Sequence, residues 1–145
     1  NQAIGQAPPD YVLADDSGLE VDALDGAPGV HSARYASKEY EGNASDDANN
    51  TKLLSELHAV PEEARAAQFR CVLALIPFTQ AEKRKFFEGI CRGRISQSVA
   101  GNGGFGYDPL FIPAGHTQIF AELGQPTKNT LSHRAKALAN LSAFF

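Results

Sequence analysis

Tyr11-Val12-Leu13-Ala14-Asp15-Asp16-Ser17-Gly18-Leu19-Glu20-Val21-Asp22-Ala23-Leu24 is the stretch on which the reading of the fold turns. Its first four residues predict a short apolar strand. Asp15-Asp16-Ser17-Gly18 then supplies four turn-forming residues in succession, so the strand is expected to end there and a second extended piece to run over 19–24. Gly26-Ala27-Pro28-Gly29 must turn the chain again.

Downstream, Ser45-Asp46-Asp47 followed by Leu53, Leu54 and Leu57 predicts a helix with Ser45 as its N-cap, and acids in the first turn complement the helix dipole. Pro61 marks the end of that region. Phe69, Cys71, Leu73 and Leu75 alternate with Arg70, Val72, Ala74 and Ile76, a strand passing from half exposed to buried on both faces and therefore central. The polar turn over 79–84 leads to Phe87, Gly89, Cys91, Gly93 and Ile95 on one face of a further strand, which makes an antiparallel hairpin. A short strand is expected over 109–112, closed by Pro113-Ala114-Gly115. Leu131, Ala135, Leu138 and Phe145 recur at helical steps, predicting a C-terminal amphipathic helix capped near Thr130 or Ser132. The order strand, strand, helix, strand, strand, strand, helix suits the α/β or α+β class, a mixed sheet with helices packed on it.

At 145 residues the chain, 1–145, has the size of a single domain able to bury a core without staples. Hydrophobic residues make up 43% and charged residues 21%, and no transmembrane span or signal peptide is evident, which predicts an ordinary globular protein with no membrane partner. A formal charge of -4 argues against the basic surface that polymeric nucleic acid demands, yet permits a small nucleotide whose phosphates are met by local cations or a metal. Cys71 and Cys91 have no partner at zinc-like spacing, and a reduced, cytoplasmic protein is expected. The chain begins at Asn1 and contains no Met, so translation need not have started where the sequence does.

Three constellations carry chemistry. In Asp15-Asp16-Ser17-Gly18, two carboxylates side by side at a strand end repel unless a divalent cation, with magnesium the hard oxygen-loving choice, lies between them and phosphate oxygens; an acidic turn is the plainer alternative. Gly101-Asn102-Gly103-Gly104-Phe105-Gly106-Tyr107-Asp108 frees backbone amides for close approach and offers two rings to a base; it equally describes a mobile hairpin loop with core aromatics. It matches neither of the common glycine-rich phosphate fingerprints, because no helix-like stretch follows it. Lys128, ahead of Ser132-His133-Arg134 at a helix N-terminus, gathers cations and free amides into an anion or base-edge site; otherwise the tripeptide is a cap with solvated neighbours.

Ala14-Asp15-Asp16-Ser17-Gly18-Leu19-Glu20-Val21-Asp22-Ala23-Leu24, Gly26-Ala27-Pro28-Gly29-Val30-His31-Ser32-Ala33-Arg34-Tyr35, Gly103-Gly104-Phe105-Gly106-Tyr107-Asp108-Pro109-Leu110-Phe111 and Lys128-Asn129-Thr130-Leu131-Ser132-His133-Arg134-Ala135-Lys136-Ala137-Leu138 are similar, in order and across nearly the whole chain, to motifs of the inosine triphosphate pyrophosphatase family. The resemblance implies a two-lobed mixed α/β fold with a nucleotide cleft between the lobes, assembled as a homodimer. It implies hydrolysis of ITP, dITP or XTP to the monophosphate and pyrophosphate with Mg2+. Asp16 would be proton acceptor and metal ligand, Asp15 a neighbouring acid at the metal, and Ser17 a phosphate contact. Phe105, Gly106, Tyr107 and Asp108 would form the base and ribose wall, and Lys128, His133 and Arg134 would read the 6-oxo edge or the phosphates. The family's opening strand and Thr/Ser-Gly-Asn-x-x-Lys loop have no counterpart here, and Pro126 and Thr127 stand where it tends to carry two glutamates. The expectation is therefore a relative lacking that N-terminal segment, with a catalytically impaired nucleotide-binding or dimeric assembly module as the alternative.

Overall fold

Residues 11–37, 42–78, 81–100 and 106–144 are described by the computed structural model. Strand β1 (Tyr11–Val21) leads through a 3-10 turn at Asp22–Leu24 and a six-residue 3-10 helix at Gly29–Arg34 to helix α1 (Asp46–Glu56). Strands β2 (Ala66–Pro77) and β3 (Lys85–Ile95) follow, then the short β4 (Phe111–Pro113) and three helices, α2 (Phe120–Leu123), α3 (Gln125–Leu131) and α4 (His133–Phe144).

The mixed α/β class with helices flanking a sheet holds. Among the described residues the sheet runs β1-β2-β3-β4 and every pairing is antiparallel, where the element order suggested a mixed sheet. The reason lies in the connections. The long excursion through α1 leaves β1 at Val21 and re-enters β2 opposite it, Val21 pairing with Ala67, so the chain returns at the same end of the sheet and must run back.

β1 corrects the expectation of two pieces. Its pairing with β2 is unbroken from Tyr11 opposite Pro77 to Val21 opposite Ala67, so Asp15-Asp16-Ser17-Gly18 lies inside one strand. Pairing with β2 gives that stretch a continuous ladder of hydrogen bonds from alternate residues, and this outweighs its local preference for a turn. The chain turns later, at Asp25 and Gly26, both with positive φ.

Odd-numbered residues of the three long strands share one face. On it Leu19, Val21, Phe69 and Ile95 join Leu53 of α1 and its C-cap Leu57, Phe111 and Phe120 in the main core, while Cys71 and Leu73 pack with Ala137 and, at the margin, Phe87 and Leu141 under α4. In β2 the odd positions from Ala67 to Leu75 are buried and the even ones only partly so, a sustained alternation in place of the expected burial on both faces. α4 sits directly on β3: a Cβ at Gly89 would lie 2.0 Å from the carbonyl oxygen of His133 and 2.4 Å from the amide nitrogen of Ala137.

Ser45 caps α1 as expected, its Oγ accepting from the Ala48 amide at 3.1 Å. The C-terminal helix is interrupted by Ser132, which is extended; its Oγ accepts from the Ala135 amide and so caps α4, leaving Lys128 on the separate helix α3. The last strand falls at Phe111–Pro113, slightly beyond 109–112. Gly101 through Phe105 of the glycine-rich loop lie outside the described residues, as do Thr79 and Gln80 of the hairpin turn.

Candidate functional site

One cleft of about 580 Å³ draws on all three constellations. β1 and β2 give it a floor of Ser17, Leu19 and Phe69; Gly106, Tyr107 and Asp108 form one wall; Lys128, Ser132, His133 and Arg134, where α3 meets α4, form the other. Residues separated by more than a hundred positions meet here because α4 lies back across the sheet.

Arg134 reaches from α4 to β1. Its Nε donates to Asp15 Oδ2 at 3.0 Å, and its Nη2 donates to Asp15 Oδ1 at 3.4 Å and to Ser17 Oγ at 3.1 Å. The Ser17 hydroxyl also donates to Asp15 Oδ1 at 3.3 Å. Arginine's fork suits this double engagement of one carboxylate, and the pair is exposed enough for solvent to weaken it. Beneath it, burial pushes the Cys71 thiol up, so it is a neutral, unreactive group.

Opposite, Lys128 Nζ donates to Asp108 Oδ2. Asp108 is only 4% exposed, so this ion pair is shielded from water. Tyr107 is tied in rather than loose: its hydroxyl donates to the Ser32 carbonyl at 2.6 Å, and burial raises its pKa. Ser32 in turn accepts from the Leu19 amide at 2.9 Å, joining the wall to the floor.

His133 stacks on Phe69, ring centroids 4.9 Å apart and 16° between planes. Burial, with the nearby cations Arg134 and Lys128, pushes its pKa down to about 4 against a smaller opposing pull from Asp15. The imidazole is therefore neutral at physiological pH. Its Nδ1 is buried with no hydrogen-bond partner among the described residues, leaving a polar atom to be satisfied by whatever enters.

The two adjacent carboxylates are not brought together. Neighbours in a strand face opposite sides: Asp15 lies under Arg134, whereas Asp16 borders a separate small hollow with Gly29, Val30, Arg70 and Val72. Ser17 and Gly18 border both spaces. Among the described residues no three His, Cys, Asp or Glu side chains cluster as a metal cage. Magnesium is commonly held by one or two carboxylates plus substrate phosphates. Both Asp15 oxygens are engaged by Arg134, so in this arrangement Asp16 is the acid that would hold that ion, with phosphate and water as further ligands.

Phe105 lies outside the described residues. Asp46, Asn49, Gln125 and Asn129 line the cleft without having been singled out in the sequence. Asp46 reads there as part of an ordinary helix start and Asn49 goes unnamed; the spacing of three between them, which puts both on one helix face, is the local signal that could have found them.

The Ham1 family model matches residues 1–144. The chain is 55% identical over 132 residues to the dITP/XTP pyrophosphatase of Porphyromonas gingivalis, covering 91% of this chain and 64% of that protein, and 56% identical over 129 residues to that of Geobacter sulfurreducens, covering 89% and 62%. It thus spans less than two thirds of the length of these curated relatives. Among solved structures, a HAM1 protein from Coxiella burnetii superposes with a TM-score of 0.84 at 41% identity, over 92% of this chain and 66% of that one. The Ham1 protein of Staphylococcus aureus gives 0.83 at 40% identity, over 99% and 70%. The kinship implied by those motifs is borne out.

Proposed function

This chain belongs to the Ham1 family, and from that premise we propose that it acts as a nucleoside triphosphate pyrophosphatase on 6-oxo purine nucleotides, ITP, dITP or XTP, releasing the monophosphate and pyrophosphate. The observation that carries this reading is the convergence of Ser17, Tyr107, Asp108, Lys128, His133 and Arg134 on one cleft of nucleotide size. The names of the relatives agree with it.

In this reading the base lies in the cleft between the Gly106-Tyr107-Asp108 wall and the α3–α4 junction. Lys128, whose ammonium is largely buried, carries hydrogen-bond donors and no acceptor, and so favours an oxo group. A 6-amino group would leave buried donors unpaired, at about 1–3 kcal/mol each, which disfavours adenine. The phosphates pass over the edge strand β1 at Ser17, where Arg134 meets their charge and releases Asp15. Asp16, on the far side of that strand, accepts the proton of the water that attacks the α-phosphorus. Magnesium, when bound at Asp16, would offset the charge of the phosphate oxygens. A cytoplasmic homodimer completes the reading; Cys71 and Cys91, both free thiols, suit a reducing compartment.

Incubation of the purified chain with ITP and Mg2+ is expected to yield IMP and pyrophosphate, with ATP a much poorer substrate. Asp16→Asn should lower kcat by at least about a hundredfold, the usual contribution of a positioned base. No IMP from this chain, under conditions where a full-length relative turns over, would overturn the enzymatic reading; nucleotide binding without turnover would then assign a binding module instead.

A further inference from the structure

We propose that Asp46 and Asn50 of α1 are positioning residues that hold the backbone N–H and C=O of Gly106 and thereby fix Tyr107 and Asp108 as the wall of the cleft. Asp46 Oδ2 accepts from the Gly106 amide at 2.9 Å, and Asn50 Nδ2 donates to the Gly106 carbonyl at 3.1 Å. Four residues apart, the two side chains stand one above the other on one face of α1. One supplies an acceptor and the other a donor, so together they complement both polar groups of a single residue.

Gly106 needs such a hold. Its φ is +59°, the left-handed region, and with no side chain it has none of the packing that orients ordinary residues. Nothing in its own backbone preference selects this conformation, so the direction in which Tyr107 and Asp108 leave it depends on its partners. Asn50 is 3% exposed, and burying an amide so completely is costly unless it does a task that an apolar residue cannot.

Asn49 extends the brace to the other side. Its Oδ1 accepts from the Ala36 amide at 2.8 Å and its Nδ2 donates to the Ala33 carbonyl at 3.1 Å, fixing the segment whose Ser32 receives the Tyr107 hydroxyl. The start of α1 thus binds Gly106 directly and the anchor of Tyr107 indirectly.

The nucleotide consequence rests on the function proposed above, and two readouts separate them. Asp46→Ala and Asn50→Ala should each weaken calorimetric binding of IMP by about fivefold to tenfold, the worth of one hydrogen bond. Asp46→Asn, which keeps an acceptor oxygen, should bind nearly as the unaltered chain does. Amide hydrogen exchange, read without any ligand, should quicken at Gly106 in Asp46→Ala and stay slow in Asp46→Asn. Unchanged exchange at Gly106 in Asp46→Ala overturns the clamp whatever the nucleotide data show. Quickened exchange with unaltered IMP affinity overturns its role in the site. If the unaltered chain binds no IMP, the nucleotide reading falls, while exchange still decides whether α1 holds the peptide.

Discussion

His133 is held neutral by its surroundings, and that has a pH signature. Its ordinary pKa of 6.5 falls to about 4 in the folded chain, mainly through burial. Between those values the unfolded chain takes up a proton that the folded one refuses, so stability declines as pH falls through 6.5 and the loss is complete near 4. The full effect is of order 1–3 kcal/mol. Thermal melts from pH 7 to pH 4 should therefore show a steeper decline for the unaltered chain than for His133→Gln. Parallel curves would mean that the imidazole is not the group refusing the proton.

At the scale of elements, α4 and β3 touch backbone to backbone, and Gly89 is what allows it. Gly89→Ala would thrust a methyl against the His133 carbonyl and the Ala137 amide, both main-chain atoms that cannot swing away. The helix must shift, at a cost of about 1–3 kcal/mol for overpacking, and His133 and Arg134 shift with it. Urea denaturation should report the lost stability and IMP calorimetry a loosened cleft; native-like values in both would contradict the close contact. What could be read ahead of the structure follows physical lines. Ser45 before Asp46 and Asp47, and the alternation from Phe69 to Leu75, are local signals, and α1 and β2 follow them. The Asp15-Asp16-Ser17-Gly18 stretch misled because its turn preference is local while its strand is imposed by β2. That error put at a shared strand end two acids that the unbroken strand sends to opposite faces of the sheet. Ser17, His133 and Arg134 could be nominated by residue type, whereas the pairing of Asp15 with Arg134, 119 positions apart, is a product of chain reversal that no local pattern encodes.

For the whole molecule, Arg65 links parts that the sheet does not. It is 5% exposed and donates to three carbonyls: Val60 through Nε at 2.9 Å, Ser96 through Nη1 at 2.9 Å and Leu57 through Nη2 at 2.7 Å. These belong to the approach to β2, the exit from β3 and the C-cap of α1, where a cation also complements the helix dipole. Arg65→Met keeps the apolar stem but orphans three acceptors, and should cost about 3 kcal/mol or more in chemical denaturation. Arg65→Lys, a point charge without the fork, should fall between the two. A loss below about 0.5 kcal/mol for Arg65→Met would place this side chain with ordinary surface substitutions and remove it as a brace.

The reach of Arg134 from α4 down to β1 means that the cleft is walled by pieces whose mutual grip is part of what keeps the chain folded. A molecule lodged there leans on the helix and the strand at once and acts as mortar between them. Occupancy and resistance to melting are therefore one quantity seen twice, and the melting temperature climbs with the logarithm of ligand concentration once the cleft is saturated.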